Sequence, residues 1–385
     1  MHVSTRLILG GSQENTVLSC EGQAARGHAV SLVYGPIYGP EGSMLERVRK
    51  HGRIETIETP NLVRELAPIR DARCLYDLRK IFRERKPDVV HTHSSKAGIL
   101  GRLAAWKERV PAVIHTVHGP PFHAHEKRWR NALFIRAERF AARRCHKIVC
   151  VAEAMHEQFV AAKIGRPEQY TVVYSGMDVD PFLNPQHERD RVRQELGLSS
   201  GDFVVGTIAR LAELKGHDDL LDALRPVFVA RPNLKLLWVG DGWWRKRLTA
   251  RLESMNLRDR VVMTGLVSPE EIPGFLQAMD VLAHPSYREG LPRTVTQALL
   301  SAKAVIAYDV DGTREVCRHN QTGKLLKPAD IEALREAVLW MMDHAEERRA
   351  MGERGRAICR EQFSAARMVD ALERVYGGIL EKPPG

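Results

Sequence analysis

The sequence predicts an α/β protein built from two doubly wound domains, each a parallel β-sheet covered by helices. The chain has 385 residues, which is too long for one compact core and suits two domains of roughly 100–200 residues each. Short apolar, β-branched runs alternate with longer helical patterns, and the alternation starts afresh after a polar stretch at residues 178–201. The composition, 44% hydrophobic and 28% charged, is that of an ordinary globular chain and excludes disordered, collagen and coiled-coil classes.

Each predicted strand is a short apolar run that stands between polar or helical segments. In the first half these runs are Arg6–Leu9, Ala29–Val33, Val89–His91, Ala112–Thr116, Ile148–Val151 and Thr171–Val173. Helical patterns such as Cys74–Arg85 and Lys96–Trp106 fill the intervals. In the second half the runs are Val204–Ile208, Lys235–Val239, Val261–Thr264, Val281–Ala283 and Ala304–Ala307, followed by a long, charged, helical pattern at Ile331–Leu380.

The resulting division has four parts. An N-terminal domain covers residues 1–177, a linker covers 178–201, a second domain covers 202–360, and a C-terminal helix at 361–385 can cross back to the first domain. Ligands of open parallel sheets bind beyond the carboxyl ends of the strands, so two such domains facing each other form a cleft. The residues that follow strands are therefore the candidates for chemistry.

Cysteine use and hydropathy indicate the cellular compartment. Six cysteines are scattered with no CxxC pair, which favours reduced packing thiols over disulfides or a metal site. No stretch approaches the roughly 18–20 apolar residues that span a bilayer. The first ten residues also lack the apolar core of a secretion signal, so we expect a cytoplasmic protein.

Positive charge is concentrated in one segment. The formal net charge is +10, and between His123 and Lys147 eight basic residues stand against two acidic ones. Three uses of this segment stay open: a helix lying in the plane of a membrane, a patch that meets anionic lipid or diphospho-lipid head groups, and a solvated face.

The same segment bears on nucleic-acid binding. It lacks the signatures of known nucleic-acid-binding modules, and its aromatic residues Trp129, Phe134 and Phe140 are expected to pack in the core. We therefore expect no nucleic-acid partner, although a basic chain keeps that class as an alternative.

Polar residues follow three strands of the first half. Gly11 opens a predicted helix, whose N-terminal N–H groups favour an anion, although an ordinary strand-to-helix turn uses the same residues. His93, Ser94 and Lys96 follow one strand, and His118 follows the next. Contact with a sugar or acceptor, metal binding and structural packing all stay open for these histidines.

Charged residues follow two strands of the second half. Arg210 and Lys215 stand between a strand and a helix, where two cations and a helix N-terminus can bind a diphosphate, unless they are a solvated surface pair. Glu289 ends another strand, Gly290 is expected to begin the next helix, and Gln297 lies about two turns along it.

Seven motifs in this order resemble the retaining GT-B glycosyltransferases of family 4, and the resemblance covers almost the whole chain. The motifs are GGSQENT, VVHTH, TVHG, YSGMD, ARLAELKG, VGDG and EGLPR. The resemblance implies a GT-B fold, in which two Rossmann-like domains face each other across a cleft. It implies that the C-terminal domain binds a nucleotide-sugar donor, that the N-terminal domain binds the acceptor, and that no metal or other cofactor is needed.

The resemblance also implies a role for each donor-side residue. Arg210 and Lys215 are similar to the pair that binds the diphosphate, and Glu289 resembles the glutamate that contacts the hydroxyls of the donor sugar. His118 is similar to the histidine beside the transferred sugar. The remaining positions are Gly11 near the donor, the N–H groups of Gly290 and Leu291 facing the diphosphate, the backbone around Leu266 and Val267 reading the base, and Gln297 at the ribose.

Two places depart from the pattern of the family, and one of them is the common Gly-Lys-Pro turn, which is Ala302-Lys303-Ala304 here. Gln297 stands where the family usually has a second glutamate, and its amide can still accept from one ribose hydroxyl and donate to another.

His93, Ser94 and Lys96 are the acceptor-side candidates.

These observations lead to one expected function. We expect an enzyme that moves a hexosyl or N-acetylhexosaminyl group from a UDP-sugar to a glycan or lipid-linked acceptor with retention, in bacterial envelope polysaccharide or lipopolysaccharide synthesis. The enzyme is expected in the cytoplasm, with peripheral binding to the inner face of the cell membrane through Lys127–Lys147 as an option. Two alternatives stay open: a GT-B sugar-nucleotide 2-epimerase, which needs no acceptor, and a non-catalytic basic nucleic-acid-binding protein.

Overall fold

The computed structural model describes residues 1–38, 42–124, 126–186 and 188–381. The chain divides into two compact units, one formed by Met1–Met177 with Phe363–Gly385 and the other by Asp178–Gln362. Each unit contains one parallel β-sheet, as the sequence predicts.

The first unit has a seven-stranded sheet in the order β3-β2-β1-β4-β5-β6-β7. Its strands are β1 (His2–Ser4), β2 (Val30–Tyr34), β3 (Ile54–Glu58), β4 (Val89–His93), β5 (Ala112–Val117), β6 (Lys147–Cys150) and β7 (Tyr170–Val172). Its connecting helices are α1 (Gly11–Ala25), α2 (Leu45–His51), α3 (Pro68–Arg85), α4 (Ser95–Lys107), α5 (Arg128–Ala142), α6 (Glu153–Ala161) and a 3₁₀ helix at Pro167–Gln169.

The strand order of this sheet reverses between β1 and β4. The chain lays β2 and β3 on one side of β1 and then returns to place β4 on the other side. Such a switch point is where open α/β sheets bind ligands, beyond the carboxyl ends of the strands. Gly11, His93 and His118 come at or after the ends of β1, β4 and β5, so they share this edge.

The first strand lies earlier than the sequence predicts. The expected strand Arg6–Leu9 is wrong, because these residues form a loop and β1 is His2–Ser4. The polar character of His2 argued against a central strand, but inside the sheet its ring bonds to Gln23 and His93. A buried polar side chain that finds such partners is tolerated in a core.

The second unit has a six-stranded sheet in the order β10-β9-β8-β11-β12-β13. Its strands are β8 (Phe203–Ile208), β9 (Leu234–Val239), β10 (Val261–Gly265), β11 (Val281–His284), β12 (Ala304–Tyr308) and β13 (Gly323–Leu326). Its helices are α7 (Asp180–Leu183), α8 (Arg189–Glu195), α9 (His217–Leu224), α10 (Val227–Ala230), α11 (Arg245–Ser254), α12 (Ile272–Ala278), α13 (Arg293–Leu300), α14 (Thr313–Val316), α15 (Ile331–Asp343) and α16 (Ala345–Gln362), with 3₁₀ helices at Arg258–Arg260 and Pro269–Glu271.

Residues 178–201, expected to be a linker, belong to the second unit. Arg193 of α8 is 1% exposed and bonds to the Asp280 carboxylate at 2.8 Å and to the carbonyl oxygens of Ala278 and Asp202 at 2.9 Å. These bonds replace water around the guanidinium. A stretch that reads as polar in the sequence is therefore anchored to the sheet.

The last helix, α17 (Ala365–Leu380), belongs to the first unit. Its Met368, Val369 and Leu372 are buried in a cluster with Leu18 and Ile114, and on its exposed side Glu373 accepts from Arg26 at 2.7 Å. Residues 382–385 of the predicted terminal helix lie outside the described residues.

A buried ion pair joins α4 and α5 in the first unit. Arg102 Nη2 donates to Glu138 Oε2 at 2.7 Å, and the two side chains are 0% and 2% exposed. The Arg102 Nε also donates to the Gly98 carbonyl at 2.7 Å. Charges this deeply buried are stable only as long as both partners are present.

Two further predictions concern the cysteine thiols and membrane-spanning helices. All six cysteines are buried free thiols, which agrees with the expectation of packing thiols. None of the helices in the described part of the chain is both long and apolar enough to cross a membrane.

Candidate active site

The candidate donor-binding residues lie at the carboxyl edge of the second sheet. Arg210 and Lys215 stand between β8 and α9, and Glu289 stands between β11 and α13. Because β8 and β11 are hydrogen-bonded neighbours in a parallel sheet, the two loops leave the sheet side by side. Adjacent loops at this edge are where open α/β sheets place their ligands.

Lys215 and Glu289 form the centre of the site. Lys215 Nζ donates to Glu289 Oε1 at 2.7 Å and to the Ser286 hydroxyl at 3.3 Å. The same Glu289 oxygen lies 3.0 Å from His284 Nε2. The other ring nitrogen of His284, Nδ1, lies 3.3 Å from the Thr294 hydroxyl. An ammonium has three donors, so a lysine held in this way can still donate to an anionic ligand.

These neighbours keep Glu289 ionised. Burial alone would raise the pKa of the Glu289 carboxyl, but Lys215 and His284 outweigh burial and hold this pKa well below its ordinary value of 4.5. A group whose folded pKa is depressed stabilises the fold above its unfolded pKa, and this contribution is lost as the pH falls through the folded pKa. At neutral pH the site therefore contains a fixed carboxylate rather than a carboxylic acid.

The two loops are held together through their backbones. Tyr287 N donates to the Leu214 carbonyl at 2.8 Å. Gly216 has φ +70°, and a Cβ at this position would lie 2.0 Å from the Pro285 carbonyl oxygen. Only glycine fits this approach, which fixes Lys215 beside the loop that holds Glu289.

The Glu289 loop continues to a helix that begins later than predicted. The expectation that Gly290 begins the helix is wrong, since α13 begins at Arg293. Gly290 and the 7% exposed Leu291 lie in the preceding loop. That loop is tied to the neighbouring one, because Asp311 Oδ2 accepts from Glu289 N at 2.8 Å and Gly312 N donates to the Gly290 carbonyl at 3.1 Å.

Arg210 differs from Lys215 in being exposed. Its guanidinium lies 5.7 Å from the ring centroid of Trp243, itself 66% exposed. Among the residues that the structure describes, no carboxylate lies within ion-pair distance of Arg210. Its charge is thus available to an anionic ligand.

The remaining donor-side candidates are Leu266, Val267 and Gln297. Leu266 is 61% exposed and, with Val267, follows β10 at the same edge of the sheet. Gln297 is half-buried in the second turn of α13.

The first-unit candidates lie at the edge formed by β1, β4 and β5. Gly11 is exposed at the start of α1, Ser94 Oγ lies 2.7 Å from the Thr5 hydroxyl, and Lys96 donates to Asp71 at 2.5 Å. His93 is 1% exposed, with its two ring nitrogens 2.9 Å from His2 and 3.1 Å from His118. The His93 ring is therefore enclosed between His2 and the half-buried His118, and it does not face solvent.

Three histidines of this unit form a cluster that the sequence did not reveal. One ring nitrogen from each of His2, His91 and His93 lies within 4.8 Å of the others. In the described structure both nitrogens of each ring already have a hydrogen-bond partner.

Three residues around Glu289 were not predicted from the sequence. His284 contacts Glu289, Ser286 accepts from Lys215, and the Asp311 carboxylate accepts from Glu289 N. His284 ends β11 five residues before Glu289. Its position at a strand end was therefore a signal that could have found it.

Two family models match the chain in succession. The model described as "Glycosyltransferase Family 4" matches residues 9–181, and "Glycosyl transferases group 1" matches residues 188–358. The chain belongs to glycosyltransferase family 4. This confirms the resemblance carried by the seven motifs and shows that the protein is an enzyme that transfers a glycosyl group.

Relatives and solved structures agree with this assignment. The family 4 glycosyltransferase is 28% identical over 320 residues to the UDP-Gal:alpha-D-GlcNAc-diphosphoundecaprenol alpha-1,3-galactosyltransferase of Escherichia coli, with 82% of each chain covered. It is 23% identical over 335 residues to the capsular polysaccharide biosynthesis glycosyltransferase CapM of Staphylococcus aureus, covering 84% of this chain and 85% of CapM. Anabaena Alr3699/HepE in complex with UDP superposes with a TM-score of 0.82 at 22% identity over 98% and 99% of the two chains, which confirms the GT-B fold.

The two cations of this family 4 glycosyltransferase give a first prediction. If this site binds the diphosphate of the donor, Arg210→Ala and Lys215→Ala should each lower turnover by at least about an order of magnitude, because each then removes a positive charge that stabilises the leaving group. Steady-state rates at saturating donor measure the effect. Lys246→Ala, in the same unit on α11, serves as a control for loss of a surface cation. Wild-type turnover in either test variant would contradict the role of that cation.

Proposed function

We propose that the enzyme transfers a sugar from a UDP-sugar donor to a glycan or lipid-linked acceptor, with retention, in the synthesis of bacterial envelope polysaccharide. The observation that carries the proposal is the cluster of Lys215, Glu289 and Ser286, with the exposed Arg210 in the same β8–α9 connection as Lys215. It combines cations for a diphosphate with a fixed carboxylate for sugar hydroxyls. The names of relatives support it: the Escherichia coli enzyme uses UDP-Gal and a diphosphoundecaprenol acceptor, and Anabaena Alr3699/HepE binds UDP-glucose.

The chemistry of the proposed reaction is the departure of a nucleoside diphosphate. Arg210 and Lys215 stabilise the charge that develops on the leaving phosphate. Glu289, kept ionised by Lys215 and His284, accepts hydrogen bonds from the sugar and holds the anomeric carbon in position. For retention, the acceptor hydroxyl attacks from the face that the diphosphate leaves, and the departing phosphate oxygen takes the proton of that hydroxyl.

The other candidate residues have supporting roles in the proposal. Gln297 bonds to the ribose, and the backbone at Leu266 and Val267 contacts the base. The N–H groups of Gly290 and Leu291 face the diphosphate. In the first unit, Gly11, Ser94 and Lys96 lie on the ligand edge of the sheet, and His118 contacts a hydroxyl of a substrate.

A donor screen followed by an acceptor assay tests this function. Thermal stability is measured with UDP-, GDP- and ADP-sugars, because a bound ligand raises apparent stability by mass action. The stabilising donor is then incubated with and without GlcNAc-diphosphoundecaprenol, with Lys215→Ala as the control of lowered turnover. UDP release that depends on the acceptor supports transfer. Conversion of the UDP-sugar without an acceptor would instead indicate a 2-epimerase, and stabilisation by GDP- or ADP-sugars alone would overturn the UDP assignment.

The acceptor side of the proposal includes an anionic membrane surface. On α5, Trp129 is 65% exposed and Phe140 is 47% exposed, so the expectation that these two aromatic rings pack in the core is wrong. Within the described residues, seven of the eight cations of the segment have no carboxylate within ion-pair distance. Three of them, Arg139, Arg144 and Lys147, donate to backbone carbonyl oxygens, and the other four are Lys127, Arg128, Arg136 and Arg143. Exposed aromatic rings among unpaired cations suit the interface of an anionic bilayer.

Liposome binding gives the second prediction. Vesicles that contain anionic lipid should bind the protein at low salt and release it at high salt, because dissolved ions screen the attraction between the basic segment and the lipid head groups. Sedimentation with vesicles measures the bound fraction. Trp129→Ala should weaken the binding, whereas Val229→Ala, at an 88% exposed apolar residue of the second unit, should not. Equal binding to neutral vesicles would contradict an electrostatic surface.

A further inference from the structure

Trp243 is an exposed aromatic residue at the carboxyl edge of the second sheet. It stands between β9 and α11. In the described part of the second unit three large apolar side chains are exposed, namely Val229, Trp243 and Leu266. A single exposed apolar residue is ordinary, but Trp243 and Leu266 follow neighbouring strands at the edge where open α/β sheets bind ligands. Their position therefore indicates a binding surface.

The loops along this edge follow the order of the strands, which is β10-β9-β8-β11. Neighbouring strands are about 5 Å apart. An exposed apolar residue after β10, an indole ring after β9, two cations after β8 and a carboxylate after β11 thus stand in a row: Leu266, Trp243, Arg210 with Lys215, and Glu289. A nucleotide sugar presents its parts in the same sequence, because a flat base is followed by a diphosphate and then by a sugar.

The loop that carries Trp243 is fixed between its two neighbours. Toward β8, Trp244 N donates to the Leu211 carbonyl at 3.0 Å. Toward β10, Gly240 N donates to the Gly265 carbonyl at 3.0 Å. The backbone on both sides of Trp243 is therefore held in place before a ligand binds, which lowers the entropic cost of binding.

Trp243 is also next to a cation of the site. The exposed Arg210 guanidinium lies 5.7 Å from the Trp243 ring centroid. An indole has two faces, and one cation can cover only one of them. A guanidinium binds phosphate and an aromatic face stacks on a base, so the two groups that a nucleotide needs are neighbours on adjacent loops.

We propose that Trp243 is the platform on which the base of the nucleotide donor stacks, with the diphosphate beside it on Arg210 and Lys215. This inference rests on the proposed function, which places a nucleotide sugar at this edge. It assigns the face of the base to Trp243 and leaves the hydrogen-bonding atoms of the base to the backbone at Leu266 and Val267. Because every base has a π face, Trp243 sets the affinity for the nucleotide, whereas the backbone selects the base.

Ligands with and without a base test the stacking. Calorimetry measures the dissociation constants of UDP and pyrophosphate for the wild type, Trp243→Ala and Trp243→Phe. Loss of a base–aromatic stack costs about 1–3 kcal/mol, which corresponds to roughly 5- to 150-fold. Trp243→Ala should weaken UDP binding by this factor and leave pyrophosphate binding unchanged. Trp243→Phe should keep most of the UDP affinity, because it retains an aromatic face.

Two further variants serve as controls. Trp243→Leu keeps an apolar side chain without an aromatic face and should bind UDP more weakly than Trp243→Phe. Val229→Ala removes an exposed apolar residue elsewhere in the same unit and should bind UDP like the wild type. Unchanged UDP affinity in Trp243→Ala would overturn the proposal. Equal losses of UDP and pyrophosphate affinity would also overturn it, because Trp243 would then act by positioning Arg210.

Tryptophan fluorescence gives a second readout that needs no turnover. A stacked base quenches indole emission, so UDP should quench the wild type. The quenching should disappear in Trp243→Phe at UDP concentrations that saturate this variant. Trp106→Phe, which removes an exposed tryptophan of the first unit, should keep the quenching. Undiminished quenching in Trp243→Phe would contradict stacking on Trp243.

Failure of the proposed donor is visible separately. If the wild type binds no uridine nucleotide, the UDP assignment fails, and the same comparison is made with the nucleoside diphosphate whose sugar stabilises the enzyme in the donor screen. A loss in Trp243→Ala that is confined to this nucleotide and spares pyrophosphate would support the stacking, whereas equal affinity would overturn it. A wild type that binds no nucleotide would overturn both proposals.

Discussion

Replacement of Glu289 by alanine is expected to lower turnover by roughly 10- to 150-fold, with donor affinity reduced much less. A hydrogen bond to a charged group is worth about 1.5–3 kcal/mol, and Glu289 is held as a carboxylate by Lys215 and His284. In the proposed function, its loss removes the anchor of the transferred sugar, and it leaves Lys215 and His284 without their shared acceptor. Turnover is measured at saturating donor, and affinity is measured by calorimetry.

Gln297→Ala is the control that separates ribose binding by Gln297 from anchoring of the transferred sugar by Glu289. If Gln297 contacts only the ribose, its loss removes a neutral hydrogen bond, so donor affinity should fall by about 2- to 12-fold while turnover changes little. Gln297→Glu restores the carboxylate usual in the family and should bind the donor at least as well as the wild type. A Gln297→Ala enzyme that keeps full donor affinity and loses turnover would contradict this division.

The Arg102→Met variant is expected to destabilise the first unit by about 3–5 kcal/mol. Removing the guanidinium leaves the Glu138 carboxylate buried without a counter-charge, and an unpaired buried charge is strongly destabilising. Urea unfolding followed by circular dichroism measures the loss as a lower midpoint.

Two variants make this test specific. The double variant Arg102→Met/Glu138→Leu removes both charges and should recover most of the stability, because an apolar pair of similar volume often replaces a buried ion pair without loss. Arg83→Met removes a cation whose side chain is 63% exposed, and its partner Glu108 keeps the ion pair with Arg79, so the midpoint should stay close to that of the wild type. A single variant as stable as the double variant would show that the buried pair is not needed.

The fold was predictable where the apolar pattern was strong. The buried runs of β8 and β12 matched their predicted positions closely, since strands covered on both faces are nearly continuous in apolar residues. Two edge strands, β3 and β13, were missed because their polar or glycine-containing sequences resemble loops. β1 was misplaced because His2 bonds to Gln23 and His93, and both of these partners come from distant parts of the chain.

The site was predictable in its residues but not in its contacts. Lys215 and Glu289 were found because each follows a strand, yet their 2.7 Å ion pair depends on the neighbouring positions of β8 and β11. The buried position of His93 was equally hidden, because a histidine at a strand end has the same sequence pattern whether it faces a ligand or another ring.

The placement of α17 has a consequence for how the protein is made. Its Met368, Val369 and Leu372 cover Leu18 and Ile114 in the first unit, although about 190 residues of chain separate this helix from Met177. During synthesis on the ribosome, all of the second unit emerges before the first unit can bury that apolar cluster. A fragment that ends at Met177 would therefore expose it and should aggregate, whereas a fragment of Asp178–Gln362 contains every strand and helix of its own sheet.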